Sequence, residues 1–508
     1  MADYPVLIVG AGPTGMELAA ELHRYGINFL IIDKRPNCVT TSNACAIHAR
    51  TMECWHERPW LSSLLEHGLK IKSASINEKK CRLARLDFEQ VQHTQYDFVL
   101  SVPQSHTEAV LDRYLTSVGV QIKRNATLLE LSAKEDNVTA RIATPEGELS
   151  VSADWVVGCD GYHSTVREQA GIAFEGTDIE ERFLLIDADF AADYEPNAFH
   201  LYLSPKGISA FFPMQESTRI IVGVGHDPDF KNVKEPTLEV MSEIIKQRTS
   251  LQFTLNAIRW QSHFWIHERL AQQFSVGRIF LAGDAAHVHS PAGGQGMNTG
   301  IQDAYNLAWK LAYVINRKSP VSLLDSYGAE RHSIAQQVVE MTSKMIRVAN
   351  MRMPFLVAIR NFIMPLFSGR QLFQKILLGR MSELSLHYHP SHIIKGRTIA
   401  PFSPGFRALD TLITEGQNIY LYDILKRSQQ YYLLVFHADD ENKNRLTSLQ
   451  NKYSDVLSIS FYDLSHTKLL ETYPFKQFTF CLIRPDQYIA YLGDQINEFE
   501  NYLQSQFF

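Results

Sequence analysis

Three short segments of the sequence combine glycine with a carboxylate, the residue types that hold phosphates and sugars in nucleotide sites. The first is GAGPTG at residues 10–15, which Asp33 follows. The second is DG at residues 160–161, and the third runs from GD at 283–284 to GGQG at 293–296. Glycine lets the backbone approach a pyrophosphate closely, and an aspartate at a strand end accepts hydrogen bonds from ribose hydroxyls. The segments therefore predict a dinucleotide site, although each motif alone also occurs in ordinary strand–helix turns.

The elements around these segments predict how they are positioned. Apolar runs at residues 6–9, 28–32, 155–157 and 278–282 predict buried strands. Apolar residues at helical spacing follow the first and third segments. A helix that begins after a glycine-rich loop points its N-terminal amides into the loop, where they stabilise negative charge. The order of strand, loop, helix, strand and aspartate is that of a Rossmann nucleotide-binding unit.

In this order, the three motifs resemble those of the class A flavoprotein aromatic hydroxylases, the family of p-hydroxybenzoate hydroxylase and phenol hydroxylase. The resemblance covers most of the chain. It implies an α/β protein with a Rossmann-type FAD-binding domain, an antiparallel β-sheet substrate domain and a C-terminal thioredoxin-like domain. The expected bounds are 1–75, 101–180 and 271–395 for the FAD-binding domain, 76–100 and 181–270 for the substrate domain, and 396–508 for the C-terminal domain.

The resemblance also implies which residues hold a non-covalently bound FAD. The expected cofactor residues are Gly10, Gly12, Pro13, Thr14, Gly15, Asp33, Lys34, Arg35, Arg50, Gln104, Leu128, Asp160, Gly161, Asp284, Pro291, Gly294, Gln295, Gly296, Met297 and Asn298. Arg50 has a second interpretation as a salt-bridge partner of Glu53, and Gln104 has one as an ordinary helix-start residue. Arg167 is a candidate phosphate partner or a solvated helix residue. The family usually has an arginine where this chain has Asn43, which leaves the choice between NADPH and NADH open.

By the same resemblance, the cofactor carries the chemistry. NADPH or NADH reduces FAD, the reduced flavin adds dioxygen, and the resulting flavin hydroperoxide hydroxylates a phenolic or other electron-rich aromatic ring. The amides that follow Gly294 suit the anionic reduced flavin, and Pro291 is expected at the face of its ring. The sequence identifies no base for the substrate, and the candidates for a catalytic residue are His200, Tyr202 and His226.

The middle of the chain predicts where a substrate binds. Residues 182–267 contain short runs of aromatic and β-branched residues separated by turns, which predict an antiparallel sheet. A sheet with one face covered and the other lining a cavity suits an aromatic substrate. The candidate lining residues are Phe211, Phe212, Pro213 and Trp265. For each of them, burial in an ordinary core is the alternative.

Composition and charge exclude several other classes of protein. The chain has 49 Lys and Arg against 55 Asp and Glu, a net charge of −6, and no long basic run, so no nucleic-acid partner is expected. The six cysteines have neither metal-ligand nor redox-pair spacing, and His287 and His289 lack further ligands, so no metal is expected. The first strand begins at once and no apolar run reaches the ~18 residues of a membrane span, so we expect a cytoplasmic protein with reduced thiols.

Several partners and functions are open at this point. The expected partners are a small aromatic substrate and dioxygen, and a homodimer stays open. One alternative with the same chemistry is hydroxylation of a polycyclic antibiotic or polyketide. Another class of function is a non-catalytic flavin-binding protein that senses or sequesters an aromatic ligand. A flavin halogenase is not favoured, because its Trp-x-Trp-x-Ile signature is absent.

Two stretches towards the C-terminus differ in composition from the rest. Residues 345–381 are rich in Met, Phe and Leu and contain Pro354 and Pro365, which predicts broken helices packed between domains. A membrane-surface role is the alternative, because arginines are interleaved with the apolar residues. The run CLIRPDQYIAYLG at residues 481–493 resembles the thioredoxin-like domain of the phenol hydroxylase branch. Its lone Cys481 excludes disulfide chemistry there and implies a structural or interface role.

Overall fold

The computed structural model describes residues 2–39, 44–389, 391–414, 418–463 and 465–508. The strands are β1 (Tyr4–Val9), β2 (Phe29–Ile32), β3 (Ala46–Ile47), β4 (Leu69–Ile71), β5 (Ser73–Glu78), β6 (Cys81–Asp87), β7 (Val99–Ser101), β8 (Thr127–Ala133), β9 (Val138–Thr144), β10 (Gly147–Gly158), β11 (Phe174–Ala192), β12 (Ala198–Tyr202), β13 (Ser209–Pro213), β14 (Thr218–Gly223), β15 (Phe253–Ala271), β16 (Ser275–Val276), β17 (Ile279–Leu281), β18 (His287–Val288), β19 (Lys395–Gly396), β20 (Leu412–Thr414), β21 (Ile419–Tyr420), β22 (Tyr431–Phe436), β23 (Leu457–Tyr462), β24 (Thr479–Ile483) and β25 (Ile489–Gly493). The α-helices are α1 (Pro13–Arg24), α2 (Ala49–Cys54), α3 (Pro59–His67), α4 (Gln104–Ser117), α5 (Thr165–Gln169), α6 (Leu238–Arg248), α7 (Gly296–Ile315), α8 (Asp325–Ala349), α9 (Pro354–Ser368), α10 (Gln371–Met381), α11 (Leu421–Arg427), α12 (Asp440–Lys452), α13 (Thr467–Thr472) and α14 (Ile496–Gln506). Short 3-10 helices span Phe88–Gln90, Gly283–Ala285 and Val321–Leu324.

The first sheet is built from strands that are far apart in the chain. Its order is β16-β17-β10-β1-β2, and β1 runs parallel to β2 and to β10, as β10 does to β17. The parallel strands are nearly continuous apolar runs because both of their faces are buried. Neighbouring parallel strands end together, so Gly10, Asp33, Cys159 and Ala282 meet at one edge of the sheet.

The second sheet confirms the predicted antiparallel region. Its order is β18-β15-β11-β14-β13-β12-β5-β6, and all neighbours are antiparallel except β12 and β5. Helix α6 covers one face, where Met241 and Ile244 pack with Leu184 and Ile220 of the strands. Since side chains alternate along a strand, Ile221 lies on the opposite face, which is turned towards the edge of the first sheet.

The C-terminal sheet has the order β19-β25-β24-β22-β23. Strands β22 and β23 are parallel, and the hairpin of β24 and β25 lies antiparallel beside β22. One face packs on α12 and α14 and, through Tyr431, on Trp309 of α7. The other face packs on α11 and α13. This order agrees with a thioredoxin-like topology; that assignment and the domain bounds stay predictions.

Buried ion pairs join the C-terminal domain to α7 and α8. Arg484 Nη1 lies 2.5 Å from Glu330 Oε1, and Lys310 Nζ lies 2.7 Å from Glu330 Oε2. Arg484 also pairs with Asp486. Burial raises the pKa of Glu330, but Arg484 and Lys310 outweigh it and bring the pKa down to about 2. The domain therefore docks through a polar core as well as an apolar one.

Helices α9 and α10 pack beside β6 at the end of the second sheet. Helix α9 begins at Pro354, but Pro365 lies inside it and does not end it. Helix α10 buries Leu378 and Met381. Much of the remaining apolar surface of both helices is exposed. Within the described ranges, none of the helices combines the length and the hydropathy needed to cross a membrane.

Candidate cofactor and substrate cleft

A cavity of about 510 Å³ opens where the parallel strands of the first sheet end. Ligands of Rossmann-type folds bind at this edge of the sheet. Most of the residues predicted to contact the cofactor line the cavity. They are Gly10, Gly12, Pro13, Thr14, Asp33, Lys34, Arg35, Gln104, Leu128, Asp160, Gly161, Asp284, Pro291, Gly294, Gly296 and Met297. The fold thus brings all three glycine-containing segments together in one cleft.

The first segment is a turn that requires glycine at one position and leaves open space at another. Gly10 has a φ of 103°, and a Cβ there would lie 2.3 Å from the Cys159 carbonyl oxygen. A Cβ on Gly12 would meet no atom within 4 Å, so this side of the turn is open to the cleft. Helix α1 begins at Pro13, and within the described ranges no side chain caps it. The amides of its first turn are therefore available to an anionic group such as a pyrophosphate.

Asp33, at the end of β2, is held in a fixed position beside this turn. Its Oδ2 accepts a hydrogen bond from Ala11 N at 2.7 Å. Its Oδ1 accepts from Arg35 N at 2.7 Å and from Arg35 Nε at 3.1 Å. Burial raises the pKa of Asp33, but these donors outweigh burial, and the pKa lies below its usual value. Asp33 is thus a preorganised anion that suits a ribose diol.

The second segment is tied to the third by Arg167. Asp160 accepts a hydrogen bond from Ser164 Oγ at 2.5 Å, which fixes the turn. The Arg167 guanidinium donates to the carbonyl oxygens of Ala285 and Tyr162, each at 2.9 Å. Arg167 is buried behind the cleft lining. Arg167 is therefore not a solvated surface residue. It is also not placed to bind a phosphate in the cleft, because the two carbonyl oxygens already occupy its guanidinium.

The third segment brings a carboxylate and a helix N-terminus to the cleft. Asp284 faces the cavity, and its enclosure by the protein raises its pKa. Helix α7 starts at Gly296, and no side chain of the described residues caps it. Asp303 fixes the preceding loop, since it accepts hydrogen bonds from Gly283 N at 3.0 Å and from His287 Nε2 at 2.7 Å. The amides at the start of α7 suit a ligand that carries negative charge.

Three predicted cofactor residues lie directly behind the lining instead of in it. A Cβ on Gly15 would lie 1.9 Å from a carbonyl oxygen of the first segment, so this glycine serves packing. Gln295 donates to the Arg380 carbonyl oxygen at 3.0 Å. Asn298 donates to the Gly294 carbonyl oxygen at 2.9 Å. These side chains shape the loop, and the backbone of the same segment faces the cleft.

Arg50 lies away from the cleft. Its Nη1 is 3.1 Å from Glu53 Oε2 and donates to Gln487 Oε1 at 2.7 Å. Its Nη2 donates to the Asp486 carbonyl oxygen at 2.7 Å. The salt-bridge interpretation of Arg50 is confirmed, and these partners in the C-terminal domain hold its guanidinium outside the cofactor cleft. Asn43 lies outside the described residues.

Among the four predicted substrate residues, Phe212 lines the cleft. Phe211 precedes it by one residue and therefore points to the opposite face, where it is buried in the core under α6. Pro213 is buried outside the lining, and Trp265 is 53% exposed and also outside it. For Phe211, burial in an ordinary core is thus the interpretation that applies, and not a place in the substrate cavity.

The three candidates for a catalytic residue also lie outside the cleft lining. His200 Nε2 is 2.8 Å from the Glu195 carbonyl oxygen. Tyr202 is buried in the core under α6. His226 Nε2 lies 3.6 Å from Glu181 Oε2. His200 and Tyr202 lie on β12 of the second sheet, His226 lies in the loop after β14, and none of the three is placed to contact a ligand in the cleft.

Several lining residues belong to none of the predicted sets. Glu108 lies one turn of α4 after Gln104 and accepts a hydrogen bond from Gln104 Nε2 at 3.0 Å. Helical spacing from Gln104 is the signal that could have identified it. Cys45 and Ile221 also line the cleft, and no motif marks either of them.

His289 lines the cleft, and one nitrogen of its ring is buried and unpaired within the described part of the chain. Its Nδ1 lies 2.9 Å from the Ser290 carbonyl oxygen, which can only accept, so Nδ1 carries the proton. Nε2 is then an acceptor; it is buried and has no hydrogen-bond partner among the described residues. Burial lowers the pKa of His289 to about 4, so the ring is neutral at pH 7. A neutral hydrogen-bond acceptor therefore lies just behind the cleft lining, beside Gly296, where a Cβ would lie 3.8 Å from Nε2.

Comparison with known proteins identifies the family to which this cleft belongs. The model of the FAD binding domain family matches residues 3–342. The chain is 33% identical to rifampicin monooxygenase of Streptomyces venezuelae, over 82% of this chain and 87% of that protein. The protein belongs to the FAD-dependent aromatic monooxygenases. It is also 36% identical to pentachlorophenol 4-monooxygenase of Sphingobium chlorophenolicum, over 68% of this chain and 64% of that protein. The solved structure of OxyS anhydrotetracycline hydroxylase from Streptomyces rimosus matches with a TM-score of 0.80 at 28% identity, covering 99% of both chains.

This FAD-dependent monooxygenase is an enzyme that uses NAD(P)H and dioxygen to hydroxylate aromatic compounds. The predicted α/β class, the cofactor and the activity are confirmed, and family membership favours an enzyme over the non-catalytic alternative. The cleft fits FAD, because Gly12 leaves room that a Cβ would fill and the N-termini of α1 and α7 have no side-chain caps. The individual contacts to FAD stay predictions.

Proposed function

We propose that this monooxygenase hydroxylates a ring that bears a phenolic hydroxyl, held at the end of the cleft formed by Phe212, Ile221 and Pro291. The observation that supports this most is that one cleft joins the three nucleotide-binding segments to an apolar wall of the second sheet. An apolar wall with a few polar groups is the usual chemistry of a site for an aromatic molecule. The homodimer, the absence of a nucleic-acid partner and the cytoplasmic location stay predictions from the sequence.

FAD bound in the cleft would supply the redox chemistry, which is the uptake of hydride from NAD(P)H and the activation of dioxygen. The residues of the chain bind and orient the cofactor. We assign the pyrophosphate to the first turn of α1, the ribose hydroxyls to Asp33 and the ribityl hydroxyls to Asp284. The amides at the start of α7 stabilise negative charge on the flavin ring, because they are preorganised donors at a helix N-terminus.

We assign the orientation of the substrate hydroxyl to His289. The His289 ring lines the cleft, its unpaired Nε2 lies just behind the lining beside Gly296, and the hydrogen bond from Nδ1 to the Ser290 carbonyl fixes the ring. We infer that a bound substrate shifts the lining there and reaches Nε2. Accepting a hydrogen bond from the phenolic O–H draws the proton away from oxygen and makes the ring more electron-rich. Because the pKa of His289 is about 4, the residue stays a neutral acceptor throughout the neutral pH range.

The test compares two variants of this residue. His289→Phe removes the acceptor, and we expect product formation per bound flavin to fall by about a hundredfold, the usual scale for a positioned proton acceptor. His289→Gln restores an acceptor oxygen and is expected to recover part of the rate. Bound flavin, measured from the visible spectrum, should be the same in both. Unchanged product formation by His289→Phe would remove His289 from the mechanism.

A polycyclic substrate is the second candidate, and the share of each relative that this chain matches favours it. The chain covers 87% of rifampicin monooxygenase and 99% of the anhydrotetracycline hydroxylase, but 64% of pentachlorophenol 4-monooxygenase. NADPH and NADH oxidation should be measured with simple phenols, rifampicin and a tetracycline precursor, followed by mass analysis of the products. If a polycyclic compound stimulates nicotinamide oxidation and gains one oxygen, and no simple phenol does, the substrate is polycyclic.

A further inference from the structure

Helices α9 and α10 expose an apolar surface that is independent of the cleft. Five large apolar side chains of these helices, and Met353 directly before α9, are more than half exposed, from 51% at Ile376 to 74% at Phe355. We call this set the α9–α10 face. It consists of Met353, Phe355, Phe362, Leu366, Leu372 and Ile376. Large apolar patches on a protein surface mark a site of interaction.

The outer face of α9 is apolar, although this helix packs against β6 on its other side. Phe355, Phe362 and Leu366 share one face of the helix at helical spacing, and this face is exposed. The opposite face presents Arg360, which is 7% exposed, and the partly buried Asn361 and Met364 to the protein. Asn361 donates to Glu78, and Arg360 lies 3.8 Å from the same carboxylate. A helix of a monomer in water normally buries its apolar face, so the outer face of α9 is suited to apolar surroundings.

The charge around this face has one sign. Between Glu340 and Glu383 the sequence has seven Lys and Arg residues and no Asp or Glu, although the whole chain has a net charge of −6. Arg370, Lys375 and Arg380 are exposed, and no carboxylate lies within salt-bridge distance of them in the part of the chain that the structure describes. Uncompensated cations beside an exposed apolar face are complementary to an anionic, apolar surface.

We propose that the α9–α10 face binds an anionic phospholipid membrane. The apolar side chains enter the boundary between headgroups and acyl chains, and the cations meet the lipid phosphates. The helices lie on the membrane, because no described helix can cross it. A second copy of the chain is a poorer fit, since a two-fold contact through this face would bring the same cations together.

The experiment uses the full-length, flavin-loaded protein and vesicles. Co-sedimentation is measured with vesicles of phosphatidylglycerol and phosphatidylcholine in equal amounts, and with vesicles of phosphatidylcholine alone. We expect binding to the anionic vesicles that weakens as salt is raised, because the Debye length shortens. Arg370→Gln/Lys375→Gln/Arg380→Gln should weaken binding to anionic vesicles by at least about tenfold, since each cation near the surface contributes.

A second variant tests the apolar part. Phe355→Ser/Phe362→Ser/Leu372→Ser is expected to weaken binding to anionic vesicles by at least about tenfold. The matched control, Leu129→Ser/Leu149→Ser/Val321→Ser, removes exposed apolar residues elsewhere and should bind as the parent does. Flavin content and melting temperature show that each variant is folded.

Two results would overturn the proposal. One is the absence of binding to anionic vesicles at low salt. The other is binding that both triple variants of the α9–α10 face leave unchanged. If light scattering instead finds a dimer that the apolar variant converts to a monomer, without vesicle binding by the parent, the face belongs to a second copy of the chain and the lipid proposal is wrong.

Discussion

At the scale of single residues, two glycines of one motif have opposite tasks. Gly10 has a positive φ and no space for a Cβ, because the Cys159 carbonyl oxygen would lie 2.3 Å away. Gly12 has φ near −78° and empty space in front of it. The motif predicts that both are needed, and the geometry separates the glycine that the backbone requires from the glycine that the ligand requires.

Substitution should separate these two tasks. Gly12→Val is expected to lose FAD, because its side chain occupies the approach of the pyrophosphate, and to melt close to the flavin-free parent. Gly10→Ala should lower stability by several kcal/mol or prevent folding, because its methyl group collides with backbone at a strained φ. Flavin per polypeptide and the melting curve are measured for both. A Gly12→Val protein with one flavin per chain would show that the pyrophosphate lies elsewhere.

The carboxylates of the cleft could be predicted from the sequence, and its apolar wall could be predicted only in part. Asp33 and Asp284 follow recognisable strands, so a motif predicts their place at the sheet edge. Phe211 and Phe212 are adjacent aromatic residues, and only the packing of α6 decides which one faces the cleft. The sequence predicts His289 as a loop histidine and not as a metal ligand, but its unpaired Nε2 depends on where the Ser290 carbonyl points.

At the scale of elements, Glu383 couples the end of α10 to the start of α7. It contacts Thr299 Oγ1 at 3.0 Å and Gln302 Nε2. The single hydroxyl proton of Thr299 is donated to the Gln295 carbonyl oxygen at 3.0 Å, so a protonated Glu383 can donate to Thr299 Oγ1. Burial raises the pKa of Glu383 to about 7, in agreement with a neutral carboxyl between the two helices.

Glu383→Gln should therefore change how stability depends on pH. The folded state holds a proton that the unfolded chain releases above the ordinary glutamate pKa of 4.5, so the parent loses stability as pH rises from that value to about 7. Glutamine is neutral at every pH and mimics the protonated carboxyl. We expect the variant to match the parent near pH 4 and to be more stable by about 3 kcal/mol above pH 7. Melting temperatures across this range are the measurement, and parallel pH curves for the two proteins would contradict the assignment.

The sequence predicts elements better than it predicts their ends and partners. The strands and helices around the nucleotide motifs are present, because long apolar runs and helical spacing are local signals. Pro365 is expected to break a helix, yet α9 continues through it, since one lost backbone hydrogen bond is tolerated near a helix end. The partners of Arg50 are more than four hundred residues away in the chain, at Asp486 and Gln487, and no local pattern predicts them.

At the scale of the whole molecule, buried charges hold the C-terminal domain in place. Arg484, Glu330 and Lys310 are almost fully buried, and Glu330 accepts from both cations. Removing one partner of a buried ionic cluster leaves an uncompensated charge in a medium of low polarity. Surface pairs lack this penalty because water screens them.

Arg484→Met should accordingly destabilise the protein by about 3–5 kcal/mol, because Glu330 and Asp486 lose their principal cation. The control is Arg397→Met, which breaks an exposed pair with Asp494 at 3.2 Å and should cost at most about 1 kcal/mol. Thermal and urea unfolding, followed through flavin fluorescence and far-UV circular dichroism, give the comparison. Equal losses in the two variants would show that the buried cluster does not anchor the domain.

The order of strands in the first sheet also determines when this sheet can be completed during synthesis of the chain. Tyr4 pairs with Ala153, and Val156 pairs with Ile279, so the first sheet has its final neighbours only after more than half of the chain has left the ribosome. At about 5–20 residues per second, ~10–30 s separate β1 from β10. During that interval β1 and β2 expose apolar edges to other nascent chains. The yield of folded protein in a cell should therefore depend on chaperone capacity and on the rate of translation. The stability of the folded molecule alone does not predict this dependence.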